Sequence, residues 1–448
     1  LGPLVVAGPE PGRLVLGALA RRGGGAGRTL LAAEQAQSVA VVGPTQSGKT
    51  SALAVPAILS WDGPVLAASV KSDLARDTIG WRRRCGRVWC LDPGRSTGLP
   101  PGEWSPLPAA TSWAGARRVA ADLTEVSRAQ GTTADGEFWY ATAAKLLAPL
   151  LFAAAQAGLS MRDVVRWVDT QEVGEVAQVL AAAGVQEAEQ AARATWLRDE
   201  RQRSAVYTTA ETVLEPFADA PPDHGGPVDA IDPAGLLLGA HTLYLCAPAH
   251  DQRRLRGLFT AVVKQVLEAA FERAARLGGR LAPPLLVVLD EAANIAPLAE
   301  LDGLAATCAG HGVQLVTVWQ DLAQVAARYG ERSQTVVNNH RAKVFLSGTS
   351  DPRTLDHASH LVGDEELLVP SVTTDPSGAR SVTTSTVRRR LLPPEALRRL
   401  PTGAGVLVYG SLPPARLTLR PWFVDPVLAA RGRAGSPWPV RGGGPASG

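Results

Sequence analysis

Short apolar runs and stretches of helical period take turns along much of this chain. Residues 38–42 are an apolar run that enters a glycine-containing turn and then a helix over 49–59. A second strand is expected at 64–70 and a third at 87–91, which ends at Asp92-Pro93-Gly94, with an Arg-rich helical stretch between them. Strands alternating with helices predict an α/β fold with a mostly parallel, doubly wound sheet. From about residue 111 to 217 the pattern changes. Ala, Glu and Gln dominate, Leu146, Leu147, Leu150 and Leu151 recur at helical spacing, as do Val164, Val165 and Val168, and strand signals almost vanish. This predicts an inserted all-α domain of small size. Alternation resumes with a strand at 242–246, a long helix at 255–277, and strands at 285–289, 313–319 and 343–346. A hairpin is expected at 368–374 and 380–386, turned by Asp375-Pro376-Ser377-Gly378, then strands at 405–409 and 417–422. The first thirty residues, rich in Gly, Pro and Arg, suggest a lead-in arm, and the similar tail beyond Asp425 suggests disorder. The expected division is 1–108 (arm and first part of the α/β domain), 109–217 (all-α insertion), 218–425 (second part of the α/β domain) and 426–448 (disordered tail).

Composition narrows this picture only a little. The 448 residues are 46% hydrophobic and 19% charged, a globular balance with room for a sizeable core. A net charge of +3 is too small to argue nucleic-acid binding by itself, and the runs Arg82-Arg83-Arg84, Arg253-Arg254 and Arg388-Arg389-Arg390 suggest solvated faces. The 4 cysteines show no zinc spacing, which implies buried free thiols and a reducing compartment. No signal peptide and no run of about 18 apolar residues stands out; residues 146–159, bounded by Lys145, suggest a buried helix. Residue 1 is Leu and the single methionine is Met161, so a trimmed chain is expected, and an upstream membrane anchor would lie outside the sequence.

The chemistry begins at Gly43-Pro44-Thr45-Gln46-Ser47-Gly48-Lys49-Thr50, which satisfies G-x-x-x-x-G-K-[ST] in full. Glycines let backbone N–H groups turn inward around phosphates where a side chain would block approach. Lys49 brings positive charge to the β- and γ-phosphates of ATP, and the Thr50 hydroxyl is placed for Mg²⁺. The following helix adds the favourable end of its dipole. Gly43, Thr45, Gln46, Ser47, Gly48, Lys49, Thr50 and Ser51 are therefore the candidate nucleotide-binding residues. A strand before and a helix after give the motif its required context.

Two further elements fit hydrolysis. Leu285-Leu286-Val287-Val288-Leu289 runs into Asp290-Glu291, and the carboxyl end of a buried strand is where an α/β sheet presents ligand groups. Asp290 is expected to hold hydrated Mg²⁺, and Glu291 to orient or deprotonate the attacking water. Gln320 closes the strand expected at 313–319, where it could contact the γ-phosphate or the water and report hydrolysis to the sheet. The catalytic candidates are Lys49, Asp290, Glu291 and Gln320, with Thr50 and Asp290 on the metal.

Taken together, the P-loop, Val70-Lys71-Ser72-Asp73-Leu74, Leu289-Asp290-Glu291-Ala292-Ala293-Asn294-Ile295 and Trp319-Gln320-Asp321-Leu322-Ala323-Gln324 resemble the TraG/TraD type IV coupling proteins. Phe138-Trp139 and Asp351-Pro352-Arg353-Thr354 extend the resemblance, which runs from about residue 30 to 425. It implies a RecA-like nucleotide-binding domain with an all-α domain that receives substrates. It also implies a homohexameric ATPase at the cytoplasmic face of the bacterial inner membrane. Such a ring pumps single-stranded DNA and its relaxase into a type IV secretion or conjugation channel, with the channel proteins as partners.

Two departures are visible. No transmembrane helices precede the nucleotide-binding domain, so a monomer is an alternative to the ring. An arginine finger is expected shortly before the Gln320 strand, yet Thr307-Cys308-Ala309-Gly310-His311-Gly312 holds no arginine, and Arg332 and Arg341 are the nearest alternatives. Lys71 fits either a role near phosphate or a solvated strand cap. The competing functions are a substrate-docking adaptor with weak or no ATPase, and a double-stranded DNA translocase of the FtsK/HerA type. No sequence-reading module stands at the C-terminus to favour the latter.

Overall fold

The computed structural model describes residues 1–21, 26–127, 134–218, 229–248, 250–374 and 380–435. The chain divides into two compact units, Leu1–Asp62 with Asp302–Gly432, and Gly63–Leu301 with Arg433–Gly448.

In the first unit, strand Val39–Val42 lies between Val313–Trp319 and Ala342–Leu346, parallel to both. Every residue of the three strands is buried, as expected of near-continuous apolar runs covered on both faces. Trp319 and Phe345 both stand in register with Val42, so three strands end level where the phosphate-binding loop begins. Beyond Ala342–Leu346 the sheet continues antiparallel through Ala404–Tyr409, Leu412–Thr418, Val15–Ala20, Ala26–Ala32 and Val5–Val6.

The expected lead-in arm is therefore folded. Leu14, Leu16, Ala18, Leu31 and Ala32 are buried, and Gly, Pro and Arg composition had masked that pattern. The strand expected at 417–422 also lies earlier, at Leu412–Thr418. A bulge between Leu407 and Tyr409 leaves Pro413 and Pro414 outside the paired register, which lets a strand begin with two prolines. The tail is helical over Pro426–Arg433, where Leu428 and Ala429 are buried, and residues 436–448 lie outside the described residues. The hairpin strands are longer than expected, Asp364–Thr374 against Arg380–Arg390. At its base Asp364, Glu365 and Glu366 face Arg390, Arg389 and Arg388. The Asp375–Gly378 turn lies outside the described residues.

The second unit holds four parallel strands in the order Leu285–Asp290, Val65–Ser69, Thr242–Cys246 and Val88–Leu91. Its helices include Asp73–Cys85, the long Gln252–Arg276, and six between Trp113 and Ala218. Ala134–Gln156 is the hub of those six, packing on Trp113–Ser127, Met161–Asp169, Gly174–Ala183, Gln186–Trp196 and Glu200–Ala218. Its stretch Gly136–Gln156 is long and apolar enough to cross a bilayer, but 61% of the apolar window is buried within the protein. Capping is explicit at Met161–Asp169, where Ser160 and Asp163 form a reciprocal box.

Arg82 departs from the solvated-face expectation. It is fully buried, and its guanidinium donates to Thr242 Oγ1 at 2.7 Å, Gly63 O at 2.8 Å and Ala240 O at 3.1 Å. Its neighbours Arg83 and Arg84 are exposed. Of the four thiols, Cys90, Cys246 and Cys308 are buried and Cys85 is half-buried.

Candidate nucleotide site

The loop after Val39–Val42 has the backbone a phosphate cradle needs. Gln46 sits at φ 65° and Gly48 at φ +91°, both left-handed, so successive N–H groups turn to one side. A Cβ on Gly43 would fall 2.8 Å from Leu346 Cβ and 2.9 Å from Ser47 Oγ, so only glycine fits. Gly43 N–H donates to Trp319 O at 3.1 Å, tying the loop to the neighbouring strand. Ser47 Oγ closes the turn on Pro44 O at 2.8 Å.

Lys49 is only 8% exposed, and its ammonium donates to Gly43 O at 2.5 Å and Pro44 O at 2.6 Å. A buried cation held by neutral carbonyls of its own loop is matched to an anion arriving there. Thr45 and Gln46 are exposed at the loop's tip, while Thr50 and Ser51 open the helix Thr50–Ser60. That helix begins with a wide, π-type turn in which Val55 N–H reaches Thr50 O. Pro56 explains it: proline has no N–H for Ala52 O, and its ring crowds that carbonyl, so the turn opens. Ser51 O in turn accepts Trp422 N–H at 3.0 Å. Glycine-lined cradle, buried lysine, hydroxyl and helix start together fit the phosphates of a nucleotide and its magnesium.

Gln320 follows directly on Trp319, whose carbonyl holds the loop. Its backbone N–H donates to Gln324 Oε1 at 3.1 Å, and Asp321 caps the helix Leu322–Tyr329 by accepting Gln324 N–H at 2.7 Å. Thr354, fully buried, completes the hold: its hydroxyl accepts Leu322 N–H at 2.8 Å and donates to Asp351 Oδ2 at 2.6 Å. Beneath lies a second chain of polar groups. Trp319 Nε1 donates to Thr317 Oγ1 at 2.9 Å, Thr317 Oγ1 meets His340 Nε2 at 2.9 Å, and His340 Nδ1 meets Val336 O at 2.7 Å. The carbonyl can only accept, so Nδ1 carries the proton and Nε2 accepts from Thr317. Burial pushes His340 down to about 4.

In the second unit Asp290 ends its strand buried, in register with Ser69, whose hydroxyl donates to Asp290 Oδ2 at 3.2 Å. Glu291 takes a left-handed backbone (φ 63°, ψ 56°), which carries it out of the strand direction. Asn294 Nδ2 donates to Glu291 Oε2 at 3.3 Å. Lys71 is exposed, and its N–H donates to Ser69 Oγ at 3.2 Å.

The loop residues and Gln320 thus belong to the first unit, and Asp290 and Glu291 to the second. The two finger alternatives are otherwise engaged. Arg332 forms a two-pronged ion pair with Asp302, and Arg341 pairs with Glu34 at 3.3 Å while lying over the Tyr409 ring. Motif reading missed the supporting roles of Ser69, Gln324, Asp351 and Thr354. Gln324, Asp351 and Thr354 stood in the stretches read from the sequence and make local caps, but the Thr354–Leu322 and Ser69–Asp290 contacts are fixed only by the fold.

Comparison with known proteins gives the family and the fold. The family model described as "Type IV secretory system Conjugative DNA transfer" matches residues 9–436. The conjugal transfer protein TraG of Escherichia coli is 25% identical over 452 residues, spanning 90% of this chain and 69% of that protein. Protein VirD4 of Rhizobium rhizogenes is 24% identical over 422 residues, spanning 90% of this chain and 60% of that protein. Among solved structures, the bacterial conjugative coupling protein TrwBdeltaN70 superposes with TM-score 0.66 at 20% identity, covering 87% of this chain and 85% of that one. TrwB in complex with ADP and Mg²⁺ gives TM-score 0.61 at 19% identity over 93% of this chain and 96% of that one. These structures establish the α/β, RecA-like fold. With a family match spanning nearly the whole chain, the protein belongs to the type IV secretory system conjugative DNA transfer family, the TraG/TraD coupling proteins.

Proposed function

We propose that the chain is an ATP-hydrolysing coupling protein that recruits a DNA–relaxase substrate and drives single-stranded DNA into a type IV secretion or conjugation channel. The observation that carries this is the buried Lys49 in its glycine cradle, a positive charge held by the neutral carbonyls of Gly43 and Pro44. In this role Gly43, Thr45, Gln46, Ser47, Gly48, Lys49, Thr50 and Ser51 hold ATP, and Thr50 and Asp290 hold Mg²⁺, which would neutralise charge on the phosphates. Glu291 takes a proton from the water that attacks the γ-phosphorus as the bond to ADP breaks, and Gln320 orients that water. The helices between residues 109 and 217 would receive the relaxase. The working form would be a homohexamer at the cytoplasmic face of the inner membrane, beside the channel proteins.

Phosphate release measured with and without single-stranded DNA tests the reading. Lys49→Ala should abolish nucleotide binding and turnover. Glu291→Gln should bind ATP yet lose about a hundredfold or more in kcat, the contribution of a general base. Turnover unchanged in Lys49→Ala would overturn the assignment.

One observation favours a second reading, a docking adaptor with little ATPase. Residues 307–312 hold no arginine, and Arg332 and Arg341 are committed to partners within the chain. Relaxase capture by the full chain carrying Lys49→Ala, with no turnover in the wild type, would select it.

A further inference from the structure

The helices Trp113–Ser127 and Gln252–Arg276 pack on each other within the second unit, and a cavity of about 130 Å³ lies between them. Trp104, Val119 and Leu123, all buried, give it apolar wall. Trp104 Nε1 donates to Gln265 Oε1 at 2.6 Å, which fixes the indole beside that amide. Glu268, three residues beyond Gln265 on the same helix, also lines the cavity, as does Asp122 from the other helix. A dry cavity of about 150 Å³ holds one benzene-sized molecule, so this space takes a single small group.

The acids around this cavity are matched with bases, except one. Lys264 pairs with Asp122 at 2.9 Å and with Glu125 at 2.6 Å. Arg118 and Arg276 reach Glu272 at 4.0 Å and 3.9 Å. Glu268 stands between Lys264 and Glu272, one helical turn from each, and is half-buried. Among the described residues it makes neither a hydrogen bond nor an ion pair. Burial, and then the negative charge of Asp122, push its carboxyl above the usual range. A carboxylate drawn out of water without a donor is costly, and a cation carrying N–H groups is what it lacks.

The surroundings narrow the cation. A hard divalent ion takes about six oxygen ligands, and among the described residues no group of 3 or more His, Cys, Asp or Glu side chains could hold a metal. Apolar wall beside a lone carboxylate suits an organic cation instead. A hydrocarbon stem lies on the apolar side chains while the charged head meets the acid, and an indole ring nearby adds its own attraction for the charge.

We propose that this cavity binds an ammonium or guanidinium group on a short hydrocarbon stem, with Glu268 as the counter-charge and Trp104, Val119 and Leu123 against the stem. The site goes beyond the nucleotide chemistry proposed above and does not depend on it, since none of the P-loop residues lines the cavity.

Calorimetric titration of the full chain with n-butylguanidinium, n-butylammonium and n-butanol tests it. Both cations should bind, and the neutral alcohol of equal length should bind at least about tenfold more weakly. Glu268→Gln keeps the size and removes the charge, and should weaken n-butylguanidinium by about ten- to a hundredfold. Its Tm should be no lower than that of the wild type, and saturating cation should raise Tm in the wild type alone. ATP binding at the P-loop checks the fold of the variant, and the comparison of cation with alcohol needs no variant. A blocked peptide, acetyl-Gly-Arg-Gly-amide, separates the two sources of such a group. Peptide bound as well as n-butylguanidinium supports an arginine side chain presented by another protein. Peptide excluded while the free cation binds supports a small soluble cation. No cation bound by the wild type, n-butanol bound as tightly as the cations, or unchanged affinity in folded Glu268→Gln would each overturn the site.

Discussion

Thr354→Val isolates one hydroxyl. Valine has nearly the shape of threonine, and residue 354 is fully buried, so packing is kept while two hydrogen bonds go. The first of these comes from Leu322 N–H at 2.8 Å, and the second runs to Asp351 Oδ2 at 2.6 Å. A buried N–H left without an acceptor costs about 1–3 kcal/mol, and a bond to an ionised carboxylate about 1.5–3 kcal/mol. Asp351 keeps its bond from Thr354 N–H at 2.9 Å, so the losses do not add in full. A net loss of about 2–4 kcal/mol is expected, or roughly 5–12 °C in Tm for a unit of this size. The functional consequence follows from position. Leu322 opens the helix two residues after Gln320, so its release would loosen the residue proposed to orient water without touching the loop proposed to hold phosphate. ATP affinity should stay near wild type while kcat falls by about ten- to a hundredfold, as for a small misplacement of a positioning group. Thr354→Ser keeps the hydroxyl and should retain most of the rate. Two results would refute the reasoning: Thr354→Val with wild-type Tm and kcat, or Thr354→Ser losing as much as Thr354→Val.

Further outcomes are expected elsewhere. Arg82→Met should lower stability by about 3–5 kcal/mol, since it strips charge-assisted bonds from the Gly63 and Ala240 carbonyls, whereas the exposed Arg83→Met should stay within about 0.5 kcal/mol; urea midpoints compare them. His340 titrates at about 4 when folded against 6.5 in the open chain, so the unfolded state binds the proton first as pH falls. Stability should be full above about pH 6.5 and drop by about 3 kcal/mol as pH falls to about 4. His340→Asn should remove most of that slope in melts taken across the window, leaving the smaller share of His357, which burial also pushes down. Gly48→Ala places a side chain at φ +91° and should weaken ATP binding measured by nucleotide displacement, with about 1–2 kcal/mol lost from backbone strain.

Central strands were the most legible part of the fold. Val313–Trp319 and Thr242–Cys246 are buried along their whole length and mostly apolar, and the expected limits coincide with the observed ones. Edge structure was not legible in the same way. Val15–Ala20 lies within a Gly- and Arg-rich stretch, and Leu412–Thr418 carries two prolines at its start, so composition argued against strands that tertiary pairing nevertheless supports. The same limit applied to charge. Arg82, Arg83 and Arg84 are identical residues in one helix, and only the backbone around Gly63 and Ala240 decides which of them is buried.

The candidate site divides along the same line. Gly43 to Thr50, Asp290, Glu291 and Gln320 could be nominated from sequence because ligand chemistry constrains residue type and spacing within a few positions. The groups that hold them answer to sheet order instead. Thr354 reaches Leu322 across 32 positions, Ser69 reaches Asp290 across 221, and Thr317 and His340 meet across 23 positions that include the helices Leu322–Tyr329 and Ser333–Asn339. Thr354 does stand in the Asp351-Pro352-Arg353-Thr354 stretch, but nothing local shows that it reaches Leu322, and Ser69, Thr317 and His340 have no local signature. Yet the water-orienting role proposed for Gln320 would require its backbone to be fixed, and that fixing comes from Gln324, Asp321 and Thr354 rather than from the loop. A motif therefore nominates where phosphate would be held, while the proposed rate of its cleavage would depend on contacts, such as Thr354 to Leu322, that only the fold brings together.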